Sequence, residues 1–180
     1  GTVTVDGTTF DTETVTINDT DTPLSFSINS TATINEDAGE TATFTIALSG
    51  TTPLTGATTA SVEIAPTGSA TSGTDYDNFI TAINNAATAT TGVTFNGTDT
   101  LTFDSTFNGN TGVGSFSFTV NAINDETVEG TETITATLSN ESVSAGSVTI
   151  GTASTDTDIT EADQAIDVTL VQSTATVNEE

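Results

Sequence analysis

Residues 41–48 read Thr-Ala-Thr-Phe-Thr-Ile-Ala-Leu, with Ala42, Phe44, Ile46 and Leu48 alternating with Thr41, Thr43, Thr45 and Ala47. A period of two sends successive side chains to opposite faces of a strand, so the apolar set faces a core and the threonines face water. The pattern recurs at Phe116, Phe118 and Val120, at Ile134, Ala136 and Leu138, and at Val148 and Ile150. Near the start, Val3, Val5, Val15 and Ile17 and then Leu24, Phe26 and Ile28 carry it too. Threonine, β-branched and polar, suits the wet face of such strands. Asn96-Gly97 and Asn108-Gly109 mark turns between them. The chain therefore reads as all-β, with a sandwich of about seven strands in its central part. A hydrophobic content of 33% beside a high charge would suggest disorder if the apolar residues were diluted, but here they are patterned.

One stretch departs from the period of two. In DNFITAINNAATATT, residues 77–91, Phe79, Ile80, Ile83 and Ala87 stand near helical spacing, and Asp77 is available as a cap. A short helix or compact loop insertion is expected there.

Of the 180 residues, 25 are Asp or Glu and none is Lys, Arg or His. The carboxylates have no cationic side chain to pair with. Two of them held about 4 Å apart repel by roughly 1 kcal/mol in water and about 4 kcal/mol at a protein surface. Several such pairs would oppose a folding free energy of only about 5–15 kcal/mol. Where the acids cluster, a bound metal ion is the expected neutraliser; where they are spread out, ordinary salt suffices.

The same absences exclude chemistry. Without His, Lys or Cys there is no imidazole base, Schiff base, thiolate nucleophile or zinc thiolate site. A net charge of -25 repels nucleic acid and anionic membranes. No apolar run approaches the roughly 20 residues of a spanning helix, and no basic leader opens the chain, so neither membrane segment nor signal peptide is expected and the chain reads as an internal fragment. A carboxylate-only glycosidase needs neither His nor Lys. With no Trp and one Tyr for sugar stacking, and with the repetition described next, no enzyme is expected.

Residues 1–37 resemble residues 146–180, and Ser-Thr-Ala-Thr-Ile-Asn-Glu at 30–36 returns as Ser-Thr-Ala-Thr-Val-Asn-Glu at 173–179. The offset drifts between about 142 and 145 residues, too long for a solenoid coil and suited to a tandem array of whole domains. Residues 1–21 then close one repeat, 22–163 form a complete one, and 164–180 open a third.

The central repeat carries a series of motifs. It opens with Asn35-Glu36-Asp37-Ala38-Gly39-Glu40 before an alternating strand and continues with Ala70-Thr71-Ser72-Gly73-Thr74-Asp75-Tyr76. Leu101-Thr102-Phe103 follows, and then Ile123-Asn124-Asp125-Glu126-Thr127-Val128-Glu129-Gly130-Thr131-Glu132. In order and spacing these resemble the Calx-beta domain, an immunoglobulin-like sandwich of sodium-calcium exchangers, integrin β4 and large bacterial surface proteins. The resemblance covers essentially the whole repeat. In calcium-binding members, acids from several loops gather at one end of the sandwich. Carried over by motif, it implies Ca²⁺ ligands at Glu36, Asp75, Asp125, Glu129, Glu161 and Asp163. Asp19 and Asp21 would close the site of the preceding repeat, and Glu179 with Glu180 would begin the next, so both flanking sites should be incomplete. Asn124 stands where strong binders often have a second Asp, and Thr160-Glu161-Ala162-Asp163 is not a continuous acidic run, so extracellular-type affinity is expected.

No motif recruits Asp6, Asp11, Glu63, Asp99, Asp104 or Glu141, which read as solvated surface. The Phe residues read as core, and Tyr76 as packed beside the acidic loop with its hydroxyl bonded. Sequons at Asn18, Asn29, Asn96 and Asn140 are expected by chance in so Thr-rich a chain.

Together these readings imply a calcium-stiffened spacer in an extracellular or cell-surface bacterial adhesin or matrix fibre. Its partners would be neighbouring repeats of the same chain or other copies of itself. Two alternatives stand beside it. One is a calcium-dependent glycan- or protein-binding module; the other is a fibre subunit in which residues 1–17 complete a neighbouring sandwich by β-strand addition.

Overall fold

The computed structural model describes residues 23–124, 127–161 and 168–171, and the backbone of 4–5 and 8–9. Thr4–Val5 (β1) and Thr8–Thr9 (β2) pair antiparallel. Ten further strands form two facing sheets. They are β3 (Leu24–Ser30), β4 (Thr33–Asn35), β5 (Thr41–Ser49), β6 (Ala60–Gly68), β7 (Val93–Phe95), β8 (Thr100–Phe103), β9 (Gly114–Asn121), β10 (Glu132–Val143), β11 (Val148–Ile150) and β12 (Ser154–Thr160). One sheet has the order β4-β12-β10-β6-β8-β7, the other β11-β3-β5-β9. All pairings in them are antiparallel except β12 with β4 and β11 with β3.

The alternation read from residues 41–48 is realised in β5, where Ala42, Phe44, Ile46 and Leu48 are buried and the residues between them are not. From the facing strands Val62, Ile64, Leu101, Phe103, Ile134, Ala136 and Leu138 close the core. Aromatic rings knit its centre. Phe44 stacks on Phe118 at 5.3 Å, and Phe79 meets both edge-on at 5.5 and 5.0 Å.

Ten strands stand where about seven are expected: the chain changes sheets between β3 and β4 and again between β11 and β12, and the three-residue β7 adds an edge. β3 joins the smaller sheet, and two residues later β4 joins the larger one. β12 carries a further surprise: Thr157 is fully buried, and its hydroxyl donates to the Thr31 carbonyl at 2.7 Å, which satisfies the polar atom. Pro66 sits in β6 opposite Ala136 of β10, but β8 pairs β6 only from Ala60 to Glu63. Its missing N–H therefore costs that side no ladder bond.

The insertion is a helix, α1 (Phe79–Ala89), burying Phe79, Ile83 and Ala87. Its cap is Asn78, not Asp77: the Asn78 Oδ1 accepts from the Thr81 N–H at 2.9 Å. The Asp77 carboxylate instead accepts from the backbone and side-chain N–H of Asn121 at 3.1 and 2.7 Å. Helix α1 packs on β7 and β9, the edge strands of the two sheets, and so closes that side of the sandwich. A one-turn segment, α2 (Phe107–Asn110), follows β8, with Asn108 and Gly109 left-handed.

The strand register gives the sandwich two distinct ends. Leu24 and Ser49 lie at one, and Asn35, Gly68, Asn121, Glu132 and Thr160 at the other. The chain enters β3 at the first end and leaves β12 at the second.

Candidate metal centre

Three loops and a strand mouth meet where β12 ends. The first loop leaves β6 at Gly68, whose φ of +113° favours glycine and where a Cβ would lie 2.0 Å from the Thr133 carbonyl oxygen. It turns back on itself through Asp75, whose carboxylate accepts from the Thr71 N–H while its own N–H donates to the Thr71 carbonyl. Ile123 N–H donates to the Asp75 carbonyl and joins this loop to the one after β9. Asp75 is only 5% exposed. Next to it Tyr76 is buried, and burial first of all raises its hydroxyl pKa; a side-chain hydrogen bond with Ser72 opposes that, and the Asp75 charge adds to it.

The second group comes from β10. Glu132 shares the parity of the inward residues Ile134, Ala136 and Leu138, so its carboxyl points to the core side at the mouth of the strand. Ligand atoms of Asp75, Glu129 and Glu132 all lie within 4.8 Å of one another. The Glu132 pKa is pushed up to about 7, first by burial, then by the hydrogen bond with Asp75 and the charges of Asp75, Glu129 and Glu36. Three like charges without a cation cannot share this space cheaply, so in its absence Glu132 keeps its proton to a higher pH than an ordinary carboxyl.

The third part is the end of β12. Glu161 Oε1 accepts from the Glu129 and Gly130 N–H groups at 2.8 and 2.6 Å, which fixes the turn carrying Glu129. Its Oε2 is buried and accepts no hydrogen bond among the described residues. Glu36, at 5% exposure, follows β4, and its N–H donates to the Thr160 carbonyl at 3.0 Å. Asn124 Nδ2 donates to the Asp37 carboxylate at 3.2 Å, drawing the loop after β9 toward that of Glu36.

Of the residues expected as ligands, Glu36, Asp75, Glu129 and Glu161 thus lie at this end; Asp125, Asp163, Asp19, Asp21 and Glu179 lie outside the described residues. Glu132 was not among those expected. Its signal is present in the sequence as an acid two residues before the inward Ile134, but it closes the acidic motif of residues 123–132 and so does not stand out from the turn. Of the acids set aside as surface, Asp99 accepts from Asn96 and Thr100, Asp104 from Thr106, and Glu63 from Asn140 on the neighbouring strand, while Asp6 and Asp11 lie outside the described residues.

The donor set is all oxygen, anionic and partly buried. That matches a hard divalent cation such as Ca²⁺, which takes six to eight oxygens, and offers nothing to a soft metal. The buried acceptor on Glu161 and the proton-requiring Glu132 are both groups that a cation would satisfy.

No protein-family model and no curated protein matches the chain. Among solved structures it is similar to the apo form of the Calx CBD1 domain, at 19% identity and a TM-score of 0.50, covering 79% of this chain and 100% of that one. It is also similar to CBD12 from CALX1.2, at 20% identity, a TM-score of 0.46 and coverage of 77% and 45%. A third likeness is to the seventh ScaB type I cohesin of Pseudobacteroides cellulosolvens, at 14% identity, a TM-score of 0.40 and coverage of 82% and 98%. The first of these shows the fold, a Calx-beta-like sandwich. Among the described residues no helix is long and apolar enough to cross a membrane.

Proposed function

We propose that this sandwich is a calcium-binding structural repeat of a bacterial adhesin or extracellular matrix fibre, acting as a calcium-stiffened spacer. The observation that carries the reading is the convergence of Asp75, Glu129 and Glu132 within 4.8 Å in a chain without one cationic side chain. Asp75, Glu129 and Glu132 would hold the ion, with Glu36 and Glu161 at its margin. Bound there, Ca²⁺ neutralises the cluster and cross-links the loops that carry it. In this reading the carboxylates hold a cation and carry no catalysis.

The placement of the cluster explains the mechanics. It lies where the chain leaves the sandwich, and Glu161, the first residue past β12, already holds the Glu129–Gly130 turn. An ion at this point ties the departing chain to the domain, so a following repeat would be held at a defined angle. The boundaries proposed are 1–21, 22–163 and 164–180. Val168 and Leu170 fit the last of them: they are apolar, 84% and 97% exposed, and lie past the end of the central sandwich. Partners in this reading are the neighbouring repeats, outside the cell or on its surface.

Calorimetric titration with calcium tests the ligand set. Asp75→Asn, Glu129→Gln and Glu132→Gln should each weaken binding by about tenfold or more, a loss of at least about 1.4 kcal/mol. Asp99→Asn, on the turn before β8 and held by Asn96, should leave it unchanged. Equal effects from all four would show a diffuse acidic surface.

A further inference from the structure

The two sheets have four edges, and three are strands of three residues: β4, β7 and β11. The fourth, β9, has eight residues, GSFSFTVN, without a charge, a proline or a register shift. Short length, charge, proline and bulges keep an edge from pairing, and β9 has none of them; the one protection beside it is helix α1, which packs against it but leaves a groove between the two.

The free side of β9 is identifiable from its hydrogen bonds. Asn121 donates its N–H to Asp77 and accepts from the Asp77 N–H, so both of its backbone groups turn away from β5. Its β5 partner Asn121↔Thr41 begins a series continued by Thr43↔Thr119 and Thr45↔Ser117. Thr43 bonds Thr31 on the opposite side through both its N–H and its C=O. By the alternation of an antiparallel ladder, Ser117 and Thr119 also aim their N–H and C=O outward. Beside them, between β9 and the inserted helix α1, runs an open groove of 540 Å³. Ser117 and Thr119 form one wall, Thr81, Ala82, Asn85 and Ala86 of α1 the other, and Phe118 lies at its base.

We propose that this groove accepts an extended peptide segment of a partner protein by β-strand addition to β9. From Ser115 to Thr119 the free edge is about 16 Å long, room for about five residues. Side chains pointing toward α1 meet Ala82 and Ala86 and are apolar and β-branched; those pointing the other way lie beside Ser117 and Thr119 and are Ser or Thr. The chain's charge of -25 and the Asp77 carboxylate at the rim exclude acidic residues from the segment. The groove begins at Asp77 and Asn121, at the end that carries the carboxylate cluster, and runs along β9 away from it; none of its walls is an acid of that cluster.

The test titrates the whole chain with the end-capped peptide TVTVT, following backbone amide shifts by NMR. Binding should move the Ser117 and Thr119 amides, and N-methylation of the peptide's pairing edge should weaken it by about tenfold or more. Thr119→Pro, which removes an outward N–H, and Ala82→Glu, which alters only the helix wall, should each do the same, with melting curves confirming that both variants fold. No shift at these amides at millimolar peptide, or equal binding to wild type and Ala82→Glu, would overturn the proposal. So would a concentration-dependent dimer abolished by Thr119→Pro, which would make the occupant a second copy of the chain.

Discussion

Glu132 is a carboxylic acid whose surroundings favour its neutral form: burial and three neighbouring acids lift its pKa from the ordinary 4.5 to about 7. A group whose folded pKa is raised contributes stability that is fully present below about pH 4.5 and is lost as the pH rises through about 7. The chain has no His or Cys, so no ordinary side chain obscures the window between pH 5.5 and 8. In chelator the melting temperature should therefore fall across that window, and Glu132→Gln should flatten the slope. Calcium competes with the proton, so its affinity should rise over the same range. A wild-type melting temperature in chelator that is flat from pH 5.5 to 8 would contradict this account. The cluster was half legible from the sequence. Motif position led to Asp75, Glu129, Glu36 and Glu161, but not to Glu132, because an acid at the first inward position of a strand looks like the turn that precedes it. Only the strand parity, anchored by Ile134, shows which way its carboxyl points.

At the level of elements, helix α1 owes its start to Asn78. Asn78→Ala removes the side-chain bond to the Thr81 N–H and should cost about 0.5–2 kcal/mol, read as a lower urea midpoint at unchanged slope. Asp77→Ala should leave the helix cap intact and loosen Asn121 at the end of β9 instead. Both residues are good caps by type, so the pattern alone could not choose between them; the neighbour across space, Asn121, takes one of them. The strongly alternating strands β3, β5, β9 and β10 were legible because each has one wet and one dry face. Strand β12, Ser-Thr-Asp-Thr-Asp-Ile-Thr, was not, since its buried Thr157 is satisfied by a hydrogen bond that sequence does not show. The passage from β3 to β4 was equally hidden. A chain that changes sheets keeps its alternation, so β3 and β4 read as one strand.

Across the whole molecule, charge and topology point to the same place. Twenty-five carboxylates and no cationic side chain make the chain depend on ions from solution, and its tightest described acid cluster sits at the end where the chain departs. With Ca²⁺ at about a hundred times its dissociation constant, one site adds about 2.7 kcal/mol to stability. Its larger effect would be on orientation, because Glu161, on the chain leaving the domain, holds the Glu129–Gly130 turn of the domain itself. The cluster sits only at the mouth of the core, whose apolar side chains run along both sheets, so chelation should free the joint while leaving the sandwich folded. Small-angle scattering on three consecutive repeats, in calcium and in chelator at matched ionic strength, tests the claim most directly. The account predicts a long, well-defined maximum dimension in calcium that shortens and broadens in chelator; an identical distance distribution in both would contradict it.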